Sequence, residues 1–283
     1  MIANKNILIE SKHHKKPILT DVFFNKNTLK KPIVIFCHGY KGYKDWGAWN
    51  LMVPEFVNNN LFFVKFNFSH NGGTVENPID FPDLEAFGHN NFILELNDLD
   101  TVINWIITNP DFKNEVDIKN ITLIGHSRGG GIVTLKASEN NKISKVISWS
   151  GVSDFGTRFP KDENILQYWK KMGVSYIENA RTKQQMPHYY QFYTSFKENE
   201  ERLTIKNAVS KLTIPHLIIH GKDDVVVLPK EAENLHSWNP KSKLIVIENM
   251  NHPLGCTQPW KEPKMPIHLA EVVKYSIGFI QKN

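Results

Sequence analysis

Ser127 lies in the segment Gly125-His126-Ser127-Arg128-Gly129, a G-x-S-x-G pattern. The apolar run 121–125 leads into it, and residues 127–139 follow with the small, apolar pattern of a helix packed closely on a sheet. A serine hydroxyl is a weak nucleophile until a base takes its proton. At a sharp strand-to-helix turn it sits in a strained backbone conformation, beside free N–H groups that favour a developing oxyanion. Glycine at 125 and 129 removes the Cβ atoms that would clash where strand and helix approach. The competing reading is a Gly-rich turn whose serine merely caps the helix.

The pattern gains weight if an acid and a base follow in that order. Downstream, Ile218-Ile219-His220-Gly221-Lys222-Asp223-Asp224 runs from an apolar strand into a short acidic turn. Asp224 is the chosen acid, three residues past Gly221 and followed by Val225-Val226-Val227-Leu228-Pro229. Asp223 reads as an exposed turn or capping carboxylate, and Asp154 is a weaker alternative acid. His252 follows the next strand, 243–247, and is the base expected to relay the proton of Ser127. Of 12 histidines it alone lies between the last candidate strand and the final helix. The rival, His268, falls within the closing helical pattern.

Oxyanion stabilisation needs two backbone donors. One is the N–H of Arg128, directly after the serine. The other is the N–H of Tyr40, in Phe36-Cys37-His38-Gly39-Tyr40 beyond the apolar run 33–37. Gly39 lets that backbone approach a substrate closely. His38 reads as a structural histidine tying the loop down.

Apolar runs at 6–10, 20–24, 33–37, 61–66, 121–125, 145–149, 216–220 and 243–247 predict the strands that must hold these groups. Several are apolar on both faces, which suits strands buried between helix layers. Helical patterns at 90–108, 127–139, 229–237 and 267–281 alternate with them. The alternation predicts an α/β fold with a mostly parallel, doubly wound sheet. Residues 153–205 break the rhythm without an obvious buried strand. They are rich in aromatic residues, Tyr168, Trp169, Tyr176, Tyr190, Phe192 and Phe196 among them. A stretch that long is expected to be a cap inserted into a single domain spanning 1–283. Its aromatics, with Tyr40 and Trp46, would line a pocket or form the cap's own small core.

The chain has 283 residues and a net charge of +5, from 34 basic and 29 acidic side chains. The densest basic stretch, Lys12-His13-His14-Lys15-Lys16, reads as a solvated turn between two early strands. No stripe of Lys and Arg with a nucleic-acid-binding motif is present, so no nucleic-acid partner is expected. Two cysteines make no disulfide framework, and no signal-peptide core or membrane-length apolar run is seen. A cytoplasmic protein without a membrane partner is the expectation. No H-E-x-x-H or paired-cysteine spacing occurs, so neither metal nor cofactor is expected.

With nucleophile, acid, base and oxyanion loop in order, the chain resembles the α/β-hydrolase superfamily from about residue 30 to the C-terminus. It is most similar to the bacterial branch of dienelactone hydrolases, prolyl-oligopeptidase-type hydrolases and cinnamoyl or feruloyl esterases. His38-Gly-Tyr-Lys-Gly-Tyr-Lys-Asp-Trp46 resembles the oxyanion loop of that branch, and Phe66-Asn-Phe-Ser-His-Asn-Gly-Gly73 the loop after its next strand. The resemblance implies an α/β-hydrolase fold, a triad of Ser127, Asp224 and His252, and an oxyanion hole at Tyr40 and Arg128. It implies a serine esterase acting on small-molecule esters through an acyl-enzyme, with aromatic or short acyl groups favoured. An aminopeptidase or acyl-peptide hydrolase is the alternative enzyme, and a non-catalytic ligand-binding member of the fold the alternative class. The sequence leaves the oligomeric state open, a homodimer included.

Overall fold

The computed structural model describes residues 1–282. Its elements run β1 (Ile2–Ile9), β2 (Ile18–Phe24), β3 (Lys31–Cys37), α1 (Trp49–Asn58), β4 (Phe62–Phe66), α2 (Leu84–His89) and α3 (Phe92–Thr108). Next come β5 (Val116–His126), α4 (Arg128–Glu139), β6 (Ile143–Trp149), α5 (Glu163–Met172), β7 (Val174–Glu178) and β8 (Gln185–Tyr189). The chain closes with α6 (Gln191–Glu198), α7 (Glu200–Leu203), α8 (Ile205–Lys211), β9 (His216–Gly221), α9 (Pro229–Trp238), β10 (Lys243–Ile247) and α10 (Ile267–Ile280).

The residue pattern of β3 shows why these elements layer. Ile33, Ile35 and Cys37 enter one apolar cluster, and Val34 and Phe36 enter the other. Alternate strand residues point to opposite faces, so a run apolar at every position needs cover on both sides. Helices α3, α4, α8 and α9 cover one face; α1 and α10 cover the other. The eight-stranded sheet has the order β1-β2-β4-β3-β5-β6-β9-β10. From β4 to β10 all neighbours are parallel, while β2 is antiparallel to both β1 and β4. The order reverses at β3, which has β4 on one side and β5 on the other. Ligands of open α/β sheets bind beyond the carboxyl ends of strands at such a switch point. The loop with Tyr40 leaves β3 there, and Ser127 leaves β5.

Three features differ from the sequence reading. Strand β5 starts at Val116, ahead of the apolar run, because residues 117–120, polar except for the exposed Ile118, occupy a more exposed end of the sheet. Helices α1, α2 and α5 to α8 were unforeseen; at α2 the Asp83 carboxylate caps the helix by accepting from the Ala86 N–H at 2.9 Å. The third lies between β6 and β9, where β7 and β8 form a separate antiparallel pair. These strands lie outside the main sheet and leave Tyr176 and Ile177 exposed, so they carry no continuous apolar run.

The basic stretch 12–16 does join β1 to β2, but it is only partly solvated. Lys12, His13 and Lys15 are exposed. His14 reaches the buried Asp98 on α3, with Nε2 to Oδ1 at 2.6 Å, and Lys16 pairs with Asp83 at 2.5 Å. The bond to Asp98 raises His14 above its ordinary value of 6.5, against the opposing effect of burial. A raised value in the folded state means that this stabilisation is complete below the unfolded value. It is lost as pH rises through the folded one. Thermal melts across pH 6 to 8.5 should therefore show a loss that His14→Gln does not share, of roughly 1.5–3 kcal/mol for a hydrogen bond to a charged group.

Candidate active site

Strand β5 ends at His126, and α4 begins at Arg128. Between them Ser127 has φ +58° and ψ −121°, a conformation L-residues rarely adopt. Such strain costs roughly 1–3 kcal/mol and persists only where the surroundings fix it. The fixing is visible: Ser127 N–H donates to Trp149 O at 2.9 Å, and Ser127 O accepts from Gly130 and Val152 N–H at 3.0 and 3.2 Å. The two glycines are required by close approach. A Cβ at Gly125 would lie 2.1 Å from Gly129 O, and one at Gly129 would lie 2.5 Å from Cys37 O.

Ser127 Oγ is 3.0 Å from His252 Nε2, and His252 Nδ1 is 2.8 Å from Asp224 Oδ2. The other oxygen of Asp224 accepts from the N–H groups of Val226 and Val227 at 2.9 and 2.8 Å. Burial opposes the Asp224 charge, but the bond and charge of His252, with those two N–H groups, outweigh it and hold the carboxyl below its usual range. Asp224 thus remains an anion beside His252 well into the acid range.

The other candidates stand apart. Asp223 is exposed, and its N–H donates to Met250 O at 3.2 Å. Asp154 is exposed and accepts from Gly156 N–H at 2.6 Å. His268 sits in the first turn of α10.

Gly39 packs directly on Ser127, since a Cβ there would lie 2.8 Å from Ser127 Cβ. The N–H groups of Tyr40 and Arg128 have no acceptor among the described residues. His38 holds the loop: Nδ1 donates to Gly39 O at 2.8 Å, and Nε2 accepts from Phe68 N–H at 3.2 Å. Burial lowers it to about 4, so it is neutral. Farther along, Lys44 N–H donates to Asn67 Oδ1 at 2.7 Å, and Lys44 Nζ reaches Asp21 and Asp45 at 2.8 and 2.6 Å. Buried Lys65 donates to Lys44 O and Asn50 Oδ1 at 3.1 and 2.7 Å and also pairs with Asp45.

Two residues escaped the sequence reading. His126 Nε2 donates to His252 O at 2.9 Å and anchors the loop that carries His252. It was visible only as a variable position of the motif. Glu95, buried on α3, bonds Arg128 at 3.2 Å. A carboxylate, like Asp98 one turn on, within a largely apolar helical pattern was its one available signal.

A cavity of about 780 Å³ opens at Ser127. Tyr40, Trp169, Phe192, Tyr168 and Tyr176 line it, joined by Phe92, Phe155 and Phe159. Trp46 instead packs against Trp49, with ring centroids 5.8 Å apart. Phe196 is buried in the main apolar cluster with Phe192 and Trp169. The aromatics of 153–205 therefore serve both as core and as lining.

A mostly parallel eight-stranded sheet with this turn at the tip of a central strand defines an α/β hydrolase. The BD-FAE family model matches residues 20–239, and the chain belongs to that family. It is 31% identical over 215 residues to "Putative esterase/lipase 1" of Mycoplasma pneumoniae, spanning 64% of this chain and 76% of the other. It is 23% identical over 272 residues to monoacylglycerol lipase ABHD6 of Rattus norvegicus, spanning 84% and 74%. Among solved structures, ferulic-acid-bound Est1E from Butyrivibrio proteoclasticus matches with a TM-score of 0.68 at 17% identity, over 97% of each chain. The chain is thus an esterase-type hydrolase of the α/β-hydrolase fold. Among the described residues no helix is long and apolar enough to cross a membrane.

Because backbone, not a flexible side chain, occupies the space beside Gly125, Gly125→Ala should destabilise the fold by about 3 kcal/mol. A thermal melt alongside an esterase assay should show both stability and activity falling.

Proposed function

We propose that this protein is a serine esterase that cleaves carboxylic esters through an acyl-enzyme. The observation that carries the reading is the continuous bonded chain from Ser127 Oγ through the His252 ring to Asp224, at 3.0 and 2.8 Å. His252 Nε2 takes the hydroxyl proton as Ser127 Oγ bonds to the ester carbon. The carbonyl oxygen, now an oxyanion, accepts from the N–H groups of Tyr40 and Arg128. Collapse breaks the bond to the alcohol oxygen, which leaves with the proton from His252. Water then repeats the sequence on the acyl-enzyme and releases the acid. Asp224 fixes the ring's tautomer and offsets the imidazolium charge.

Residues 153–205 act as a cap over the nucleophile in this reading, and their aromatic lining favours aromatic or short acyl groups. The lining by Trp169, Phe159 and Phe192 supports that preference. Parallel rates on cinnamate, acetate and butyrate esters test it, and a preference for long aliphatic acyl groups would remove it.

Ser127→Ala should lower kcat on p-nitrophenyl butyrate by about 10⁴-fold or more, and Asp224→Asn by about 10³–10⁴-fold. A fluorophosphonate probe should label the wild type at Ser127. Absence of labelling would return the chain to the ligand-binding class.

A further inference from the structure

The cavity beside Ser127 is largely apolar, yet it holds an arginine whose bonding is incomplete. A guanidinium carries five N–H donors and no acceptor. Arg128, only 15% exposed, makes one hydrogen bond among the described residues, 3.2 Å from Nη1 to Glu95 Oε1. Its guanidinium carbon lies 4.5, 5.1 and 5.3 Å from the ring centroids of Tyr40, Phe92 and Phe192, all of which line the cavity. The rings lie at cation–π distance from the guanidinium and leave its N–H groups as its means of further bonding. The other cation of the cavity, Arg158, is 37% exposed and pairs with Glu231.

The polar groups around Arg128 do not satisfy it. Tyr40 Oη bonds His188 Nε2 at 2.9 Å, and the His188 main-chain oxygen accepts from Trp169 Nε1 at 2.8 Å. Glu95 Oε1 also accepts from Asn90 at 2.7 Å. The remaining N–H groups of Arg128 open onto the cavity, where an acceptor can reach them. A side chain adjacent to the nucleophile, packed among three rings and bonded to one carboxylate, can receive an acceptor from the substrate.

We propose that the Arg128 side chain is a substrate anchor, selecting esters whose acyl group carries an oxygen acceptor, a ketone or a carboxylate, a short spacer beyond the scissile carbonyl. This rests on the serine-esterase reading and adds to it a polar specificity that the aromatic lining does not supply. The role belongs to the guanidinium and is separate from that of the Arg128 main-chain N–H. Lysine in its place keeps the charge but loses the planar fork.

The test compares three p-nitrophenyl esters of equal acyl length: hexanoate, 5-oxohexanoate and the monoester of adipate. In the wild type at least one oxygen-bearing ester should exceed hexanoate in kcat/KM by about tenfold, the value of one charge-assisted hydrogen bond. Which one does so fixes the charge of the preferred acceptor, and either result supports the anchor. In Arg128→Met the ratio should fall to about one, chiefly through KM, and Arg128→Lys should recover only part of it. Glu95→Gln supplies a second readout if Arg128→Met does not fold. It removes the competing carboxylate and should raise the adipate-to-hexanoate ratio severalfold. A wild-type ratio of one or below for both oxygen-bearing esters overturns the proposal, as does a ratio unchanged in the variants. Fluorophosphonate labelling separates the two readings. A labelled wild type with flat ratios overturns the anchor alone, whereas an unlabelled one overturns the esterase reading and the anchor together.

Discussion

The left-handed backbone at Ser127 is held where strand, helix and loop meet with no room for side chains. Gly125 lies against the main chain of Gly129, and Gly129 lies against the main chain at Cys37. Three consequences follow from that one contact. The serine is lifted off the end of β5 instead of being buried within it. The first turn of α4 directs its unpaired N–H groups to the same place. The loop from β3 is brought against the serine at Gly39. A Cβ at either glycine separates all three, so the strain at Ser127 and the meeting of loop and helix have one cause.

The loop after β3 needs its own support, because Gly39 and Gly42 give it little stiffness. That support is electrostatic. Lys44 and Lys65 are almost fully buried and meet Asp21 and Asp45, with Asp21 itself buried. Burial lowers Lys65 from its ordinary value, and the two carboxylates act in the opposite direction. Paired buried charges add little net stability, but an unpaired one costs about 3–5 kcal/mol. Such a network fixes geometry more than it strengthens the fold. It ties the loop to β2 and β4, on the side of β3 away from Ser127.

The sheet was legible because burial on both faces forces continuous apolar runs, as in 33–37 and 121–125. The site was legible because Ser127, Asp224 and His252 each follow one of those runs in chain order, and the structure brings the three within hydrogen-bond distance. The hairpin β7–β8 was not, because half-exposed strands outside the main sheet need no apolar run. Phe92 and Glu95 were hidden for the opposite reason. They sit within a helical pattern whose periodicity reads as core, and periodicity does not say which core residues face a cavity. The aromatic residues of 153–205 could not be divided between packing and lining, since Trp169 and Phe192 do both.

Charge balance separates His252 from the histidines around it. Burial lowers His126 to about 3 and His38 to about 4. Burial and the charge of Arg128 lower His188 to about 4. At neutral pH these three rings carry no charge and serve as hydrogen-bonding posts. A positive charge at His126, whose ring centroid is 4.9 Å from that of His252, would oppose any positive charge on that ring. Keeping it neutral leaves the Asp224 carboxylate as the charge bonded directly to His252. Arg128 is a permanent cation beside Ser127, and buried Glu95 bonds it at 3.2 Å. The site therefore combines a hydrogen-bonding framework that does not titrate near neutrality with one imidazole bonded to both Ser127 and Asp224.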